Sequence, residues 1–241
     1  MNKCDTGLID ISVFDENDPT QHQMKLLYGC GCKFGLRGNE EHTLLEVRNI
    51  TRGHFSTQHP WAGSEYYGLE GLTDKTHKLD VHNDHVRENS DYMRLPVLND
   101  DPWSDCLAGS IKRFLQKLTA GQTRIYCKVV PLELRMDSES SYFGQYFYPN
   151  NPLGKNTVLK LFKSGARLQG LSNPDSFSPH SLRAYFVTRL ANDSGVSIQE
   201  CMTASRHSSV AASAIYQERD MNSECNRFTA LDCQIPEVEE K

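Results

Sequence analysis

Three stretches of the chain repeat apolar side chains at three- and four-residue intervals, and that period is the signature of helices. Residues 105–118 carry Leu107, Ile111, Phe114, Leu115 and Leu118; residues 157–168 carry Leu159, Phe162 and Leu168; residues 179–192 carry Leu182, Phe186 and Leu190. A stripe at this spacing runs along one side of an α-helix and must be buried against a partner. Residues 53–101 have another character, rich in Gly, His, Thr and aromatics. Within them, 65–72 and 77–81 are predicted strands joined by a turn around Asp74-Lys75, with a further strand at 93–97. The predicted class is therefore α+β, mainly α, with a small antiparallel sheet.

The remaining segments fit one domain. Residues 21–29 and 34–48 are candidate helices, the second with Leu44, Leu45 and Val47 as core positions. Asp101-Pro102 is the expected opening of the 105–118 helix, and Ser178-Pro179-His180-Ser181 that of the helix ending near Gly195. A short buried strand is expected at 124–132, a tyrosine-rich loop at 135–151, and two short helices at 197–204 and 208–216. The tyrosines of 142–148 are read as a packing loop rather than a stacking platform for bases. With 241 residues the chain divides into a flexible lead-in (1–20), one domain (21–231) and an acidic, disordered tail (232–241).

Composition narrows the partners. The 26 Lys+Arg stand against 31 Asp+Glu, for a net charge of −5 and a pI near 6.0. That argues against a broad basic surface and leaves a local basic cleft as the expected contact for an anionic partner. No apolar run approaches the roughly 18 residues of a membrane span, and the N-terminus lacks a basic-then-apolar secretion pattern. An intracellular, nuclear or cytosolic, location is expected, with the eight scattered cysteines as free thiols. Cys30-Gly-Cys32 and His82-x2-His85 fall outside the usual zinc spacings, so no metal is expected there.

The C-terminal third holds the informative pattern. His180-Ser-Leu-Arg183 sets a histidine and an arginine three apart, on one face at the start of a helix where backbone N–H groups already favour an anion, so the two are expected to converge as a phosphate or carboxylate clamp. Arg206-His207 follows, with His207 24 residues after Arg183, and Tyr216 comes nine residues later. This order resembles the active-site box of the tyrosine recombinases. The family also uses an earlier arginine with a carboxylate three residues on, matched by Arg37 and Glu40, and a lysine on a β-hairpin turn, matched by Lys75. The run Asn151-Pro-Leu-Gly-Lys-Asn156 resembles the eukaryotic Crypton-type recombinases and the cellular domains derived from them. Two departures stand out: Arg206 occupies a position often held by Gly, and the long Arg37–Lys75 separation implies an insertion in the hairpin. With only 36 residues before Arg37, the resemblance implies a catalytic domain without the family's N-terminal clamp.

The resemblance gives each residue a role that chemistry supports. Arg37 and Arg183 would hold the non-bridging oxygens of a phosphodiester with permanently charged forks, and His207 would donate to one of them. Tyr216 would be the nucleophile that forms a 3′-phosphotyrosyl link. His180 would help accept the tyrosine's proton, Lys75 would protonate the leaving 5′-hydroxyl, and Glu40 would orient the basic groups. No cofactor or metal ion is implied, because arginines supply the charge neutralisation. The implied partners are double-stranded DNA and further copies of the chain on DNA, with no membrane.

Taken singly, these residues have plainer readings. Arg183 would be a surface ion-pair residue, Tyr216 a half-buried helix tyrosine, and Lys75 a solvated turn lysine with Lys78 as competitor; the joint pattern raises them. Three functions compete: a DNA strand-exchange enzyme, a domesticated recombinase fold that binds DNA or chromatin without catalysis, and a type IB topoisomerase-like enzyme.

Overall fold

The structure, a computed structural model, describes residues 9–36, 38–70, 94–97, 106–192, 197, 199, 201 and 202. At its centre is α1 (Pro19–Phe34), in which every residue from His22 to Gly31 is buried. Asp18 starts the helix, its carboxylate accepting from the Thr20 and Gln21 N–H groups, with Pro19 at the first position. Gly35 ends it. Its φ of 56° is left-handed, and its N–H returns to the Gly31 carbonyl at 3.1 Å. The helix predicted across 34–48 is therefore broken: α1 stops at Phe34, and α2 (Gly38–Leu44) starts beyond the turn.

A helix buried on all sides must satisfy its polar residues internally. Gln23 Nε2 donates to the Cys127 carbonyl at 2.8 Å. Lys25, 2% exposed, meets the Glu16 carboxylate at 2.9 Å, and Arg113 donates two hydrogen bonds to the same carboxylate. Burial opposes the charged form of Glu16, but these donors outweigh it and hold its pKa at about 2. His22 Nε2 lies 3.1 Å from the Ser110 carbonyl, and its Nδ1 lies 3.5 Å from Lys117 Nζ. A neutral ring protonated on Nε2 satisfies both contacts, and burial, the main cause, pushes the His22 pKa down to about 4. Residues 9–20, within the expected flexible lead-in, are thus packed: they supply Glu16 and the buried Phe14.

Helices α3 (Leu107–Gln116), α5 (Lys155–Leu168) and α6 (Pro179–Asn192) pack around α1. Glycines set how closely they approach. A methyl at Gly31 would lie 2.5 Å from Leu182 Cδ1 and 2.8 Å from Leu182 Cβ on α6. One at Gly165 of α5 would lie 2.5 Å from the ring of Tyr28, whose hydroxyl donates to the Phe162 carbonyl at 2.6 Å. The Cys30-Gly-Cys32 run is thus a packing feature. Its glycine admits α6, while the Cys30 thiol is buried and pushed up to about 12 by that burial.

Helix α3 is capped by Cys106, whose Sγ accepts from the Gly109 N–H at 3.3 Å; Asp101-Pro102 lies outside the described residues. Between α2 and α3 the chain forms an antiparallel sheet in the order β1 (Ile50–His54), β2 (Glu65–Leu69), β3 (Arg94–Pro96). The registers pair Ile50 with Leu69 and Tyr67 with Leu95. The segment 77–81 and its turn lie outside the described residues. Strand β4 (Cys127–Val129) pairs with β5 (Phe147–Pro152) in a second, two-stranded sheet, with the short helix α4 (Leu132–Met136) between them. Tyr146, in the segment before β5, packs against the core.

Two expected core residues are exposed, Leu44 at 43% and Leu168 at 54%. Leu45, just past the end of α2, is buried in place of Leu44. On α5 the inward stripe is Val158, Phe162 and Ala166, at four-residue spacing, and Leu168 falls outside it. Strand β1 was not expected. Its Gly and His break the usual strand composition, and its register with β2 supplies the order. Of 197–204, Cys201 and Met202 are helical and buried; 208–216 and 232–241 lie outside the described residues.

Two outcomes follow. Gly31→Ala should destabilise the fold by about 1–3 kcal/mol through overpacking, although an exposed helical Gly→Ala typically gains up to about 1 kcal/mol. Urea unfolding of the single variant and of Gly31→Ala/Leu182→Ala checks this, with less-than-additive losses expected in the pair. For His22, the unfolded chain binds a proton near 6.5 and the folded chain only near 4. Its stabilisation is therefore complete above pH 6.5 and lost as pH falls through 4. Urea midpoints measured between pH 7 and 4 should fall more steeply in the wild type than in His22→Gln.

Candidate active site

The pattern read from the sequence meets the fold at the start of α6. Pro179 is buried at the first helical position, and Ser178 and Ser181 close the turn, the Ser181 N–H donating to the Ser178 carbonyl at 2.9 Å. One turn further in, the inward stripe holds Leu182, Phe186 and Val187, all at most 6% exposed. Arg183 belongs to this buried side at 3% exposed, whereas His180 is exposed. The two residues expected to converge on one face are therefore divided, Arg183 inside the protein and His180 at its surface.

A buried guanidinium is costly unless hydrogen-bonded. Arg183 Nη1 donates to the Gly35 carbonyl at 2.6 Å, across 148 residues of sequence. Gly35 sits at the C-terminal end of α1, where the helix dipole favours a cation. The surface ion-pair reading of Arg183 is therefore overturned: its charge is held inside, on the turn that ends α1. In the sequence, that carbonyl lies two residues before Arg37.

Glu40 lies in the first turn of α2, half-buried, with its Oε1 3.4 Å from Lys155 Nζ on α5. Helix α2 packs against both α5 and α6, so the carboxylate stands where these helices meet. Arg37, Lys75, His207 and Tyr216 lie outside the described residues. The stretch of chain linking β2 to β3, two adjacent antiparallel strands, contains Lys75 in its sequence.

Sequence reasoning missed two participants. Gly35 was hidden inside a helix drawn through it, although a glycine after an apolar helical run is a stop signal. Lys155 belonged to the Asn151–Asn156 run but had been given no role. The lysine partner of Glu40 had no local signal, because the pair spans 115 residues. Among the described residues no group of His, Cys, Asp and Glu is arranged to hold a metal ion.

Comparison with known proteins bears on the same region. Residues 107–223, from the start of α3 onward, match the sequence profile of the Phage integrase family. The stretch includes His180, Arg183, His207 and Tyr216 and leaves out Arg37, Glu40 and Lys75. No curated protein matches the chain. Among solved structures, the post-cleavage complex of the XerH site-specific recombinase bound to palindromic difH substrate aligns with a TM-score of 0.51 and 15% identity. The alignment covers 92% of this chain and 49% of that one, so the chain spans about half the length of that recombinase. The XerA recombinase aligns at a TM-score of 0.42 and 13% identity, over 92% of this chain and 65% of that one. The fold is that of the tyrosine recombinases, mainly helical with a small antiparallel sheet.

The Arg183 anchor has a measurable weight. Arg183→Ala strips a buried carbonyl of its donor and opens a cavity, and should cost about 2–4 kcal/mol in urea unfolding. His180→Ala, on the exposed side of the same helix, should cost under about 1 kcal/mol.

Proposed function

We propose that the chain is the catalytic domain of a site-specific DNA recombinase that cuts and rejoins double-stranded DNA through a 3′-phosphotyrosyl intermediate. The observation that supports this most is the fixed Arg183. A guanidinium buried at 3% exposure and bonded to the Gly35 carbonyl is oriented before any substrate arrives. Preorganised charge of this kind acts on a transition state more than on a ground state.

In this reading the Tyr216 oxygen attacks the scissile phosphorus as His180 accepts its proton. The bond from phosphorus to the 5′-oxygen breaks, and Lys75 protonates that oxygen. Arg37, Arg183 and His207 neutralise the non-bridging oxygens while negative charge gathers on them. Attack by a 5′-hydroxyl on the phosphotyrosine reverses the sequence and rejoins the strand. Nothing is oxidised or reduced, and the proposed steps draw only on side chains of this chain. Glu40 orients the basic groups. We also propose a nuclear setting and self-association on DNA and, on the strength of the Asn151–Asn156 run, descent from a Crypton-type mobile element.

Covalent trapping on a nicked duplex with a mobile leaving group, at a duplex concentration that saturates binding, tests the reaction. The wild type should give a protein–DNA adduct. Tyr216→Phe should abolish the adduct and leave binding nearly intact, since one hydroxyl is lost. Lys75→Ala should be slow on ordinary DNA and restored on a substrate whose 5′ leaving group needs no proton. A wild type that binds this duplex but forms no adduct overturns the enzymatic reading in favour of a DNA-binding module.

A further inference from the structure

We infer that Lys155 is a positioning residue of this reaction centre, acting through Glu40; the inference rests on the strand-transfer reading above. Lys155 is the first residue of α5, where the positive end of the helix dipole disfavours a cation. Its N-cap, Gly154, offers no side-chain acceptor to the helix end. A lysine there works against its own helix, and its ammonium is turned 3.4 Å from Glu40 Oε1 on α2.

The contact is of little use to stability. Lys155 is 56% exposed and Glu40 36%, and exposed pairs contribute about 0–1 kcal/mol. Its value lies in what it joins. Glu40 is three residues after Arg37 in the sequence, and α2 follows the turn whose Gly35 carbonyl holds Arg183. The pair ties the start of α5 to the start of α2 beside that turn.

The experiment compares wild type, Lys155→Ala, Lys155→Arg, Glu40→Ala and the Lys155→Ala/Glu40→Ala double variant. Single-turnover cleavage of a saturating nicked duplex, DNA affinity against salt, amide hydrogen exchange in α2 and urea midpoints are measured. Lys155→Ala is expected to slow cleavage about ten- to a hundredfold, as small misplacements do. DNA affinity and the urea midpoint should stay nearly unchanged, and the α2 amides should exchange faster. The double variant should be no slower than Glu40→Ala, and Lys155→Arg should restore the rate. Losses that multiply in the double variant overturn the proposal. So does weaker DNA binding with a salt slope reduced by about one and α2 exchange unaltered, because Lys155 would then be a direct phosphate contact. If the wild type does not cleave, the strand-transfer reading has failed on its own account and hydrogen exchange decides. Faster α2 exchange in Lys155→Ala keeps the tie to Glu40, and unaltered exchange removes it.

Discussion

The hydrogen bond from Arg183 to the Gly35 carbonyl ties the start of α6 to the end of the central helix α1. It needs α6 to lie against the C-terminal half of α1, and that approach is possible because position 31 has no side chain. It also needs α1 to end in a left-handed turn, which exposes the carbonyl and which glycine adopts without strain. Any residue larger than glycine at position 31 pushes α6 outward, and with it the guanidinium. Helix packing and site geometry are in this sense one constraint.

The interior holds its buried cations in two ways. Lys25 and Arg113 share the carboxylate of Glu16 on the α3 side of α1. Arg183 donates to the Gly35 carbonyl, a bond that fixes the direction of its guanidinium.

Much of this was legible in the sequence because its causes are local. The helices predicted at 105–118 and 179–192 appear as Leu107–Gln116 and Pro179–Asn192, since their apolar stripes lie within the segments themselves. The strands near 65–72 and 93–97 appear as β2 and β3 for the same reason. What escaped depends on partners far away in the chain. Strand β1 is specified by its register with β2, and the inward side of α5 by the ring of Tyr28 over Gly165. The burial of Arg183 was invisible because nothing near it in sequence shows that a carbonyl 148 residues earlier would receive it. For Lys155 the spacing rules were silent, since its partner lies on another helix.

A crystal structure of the chain bound to a nicked DNA duplex tests the central claim most directly, that a guanidinium fixed from the core is aimed at a phosphodiester. The account predicts Arg183 still bonded to the Gly35 carbonyl, with a guanidinium N–H about 2.7–2.9 Å from an oxygen of the scissile phosphate. Arg37, His207 and the Tyr216 hydroxyl should surround the same phosphate. Arg37 and Arg183 on opposite faces of the fold, or a scissile phosphate seated away from the start of α6, would contradict it.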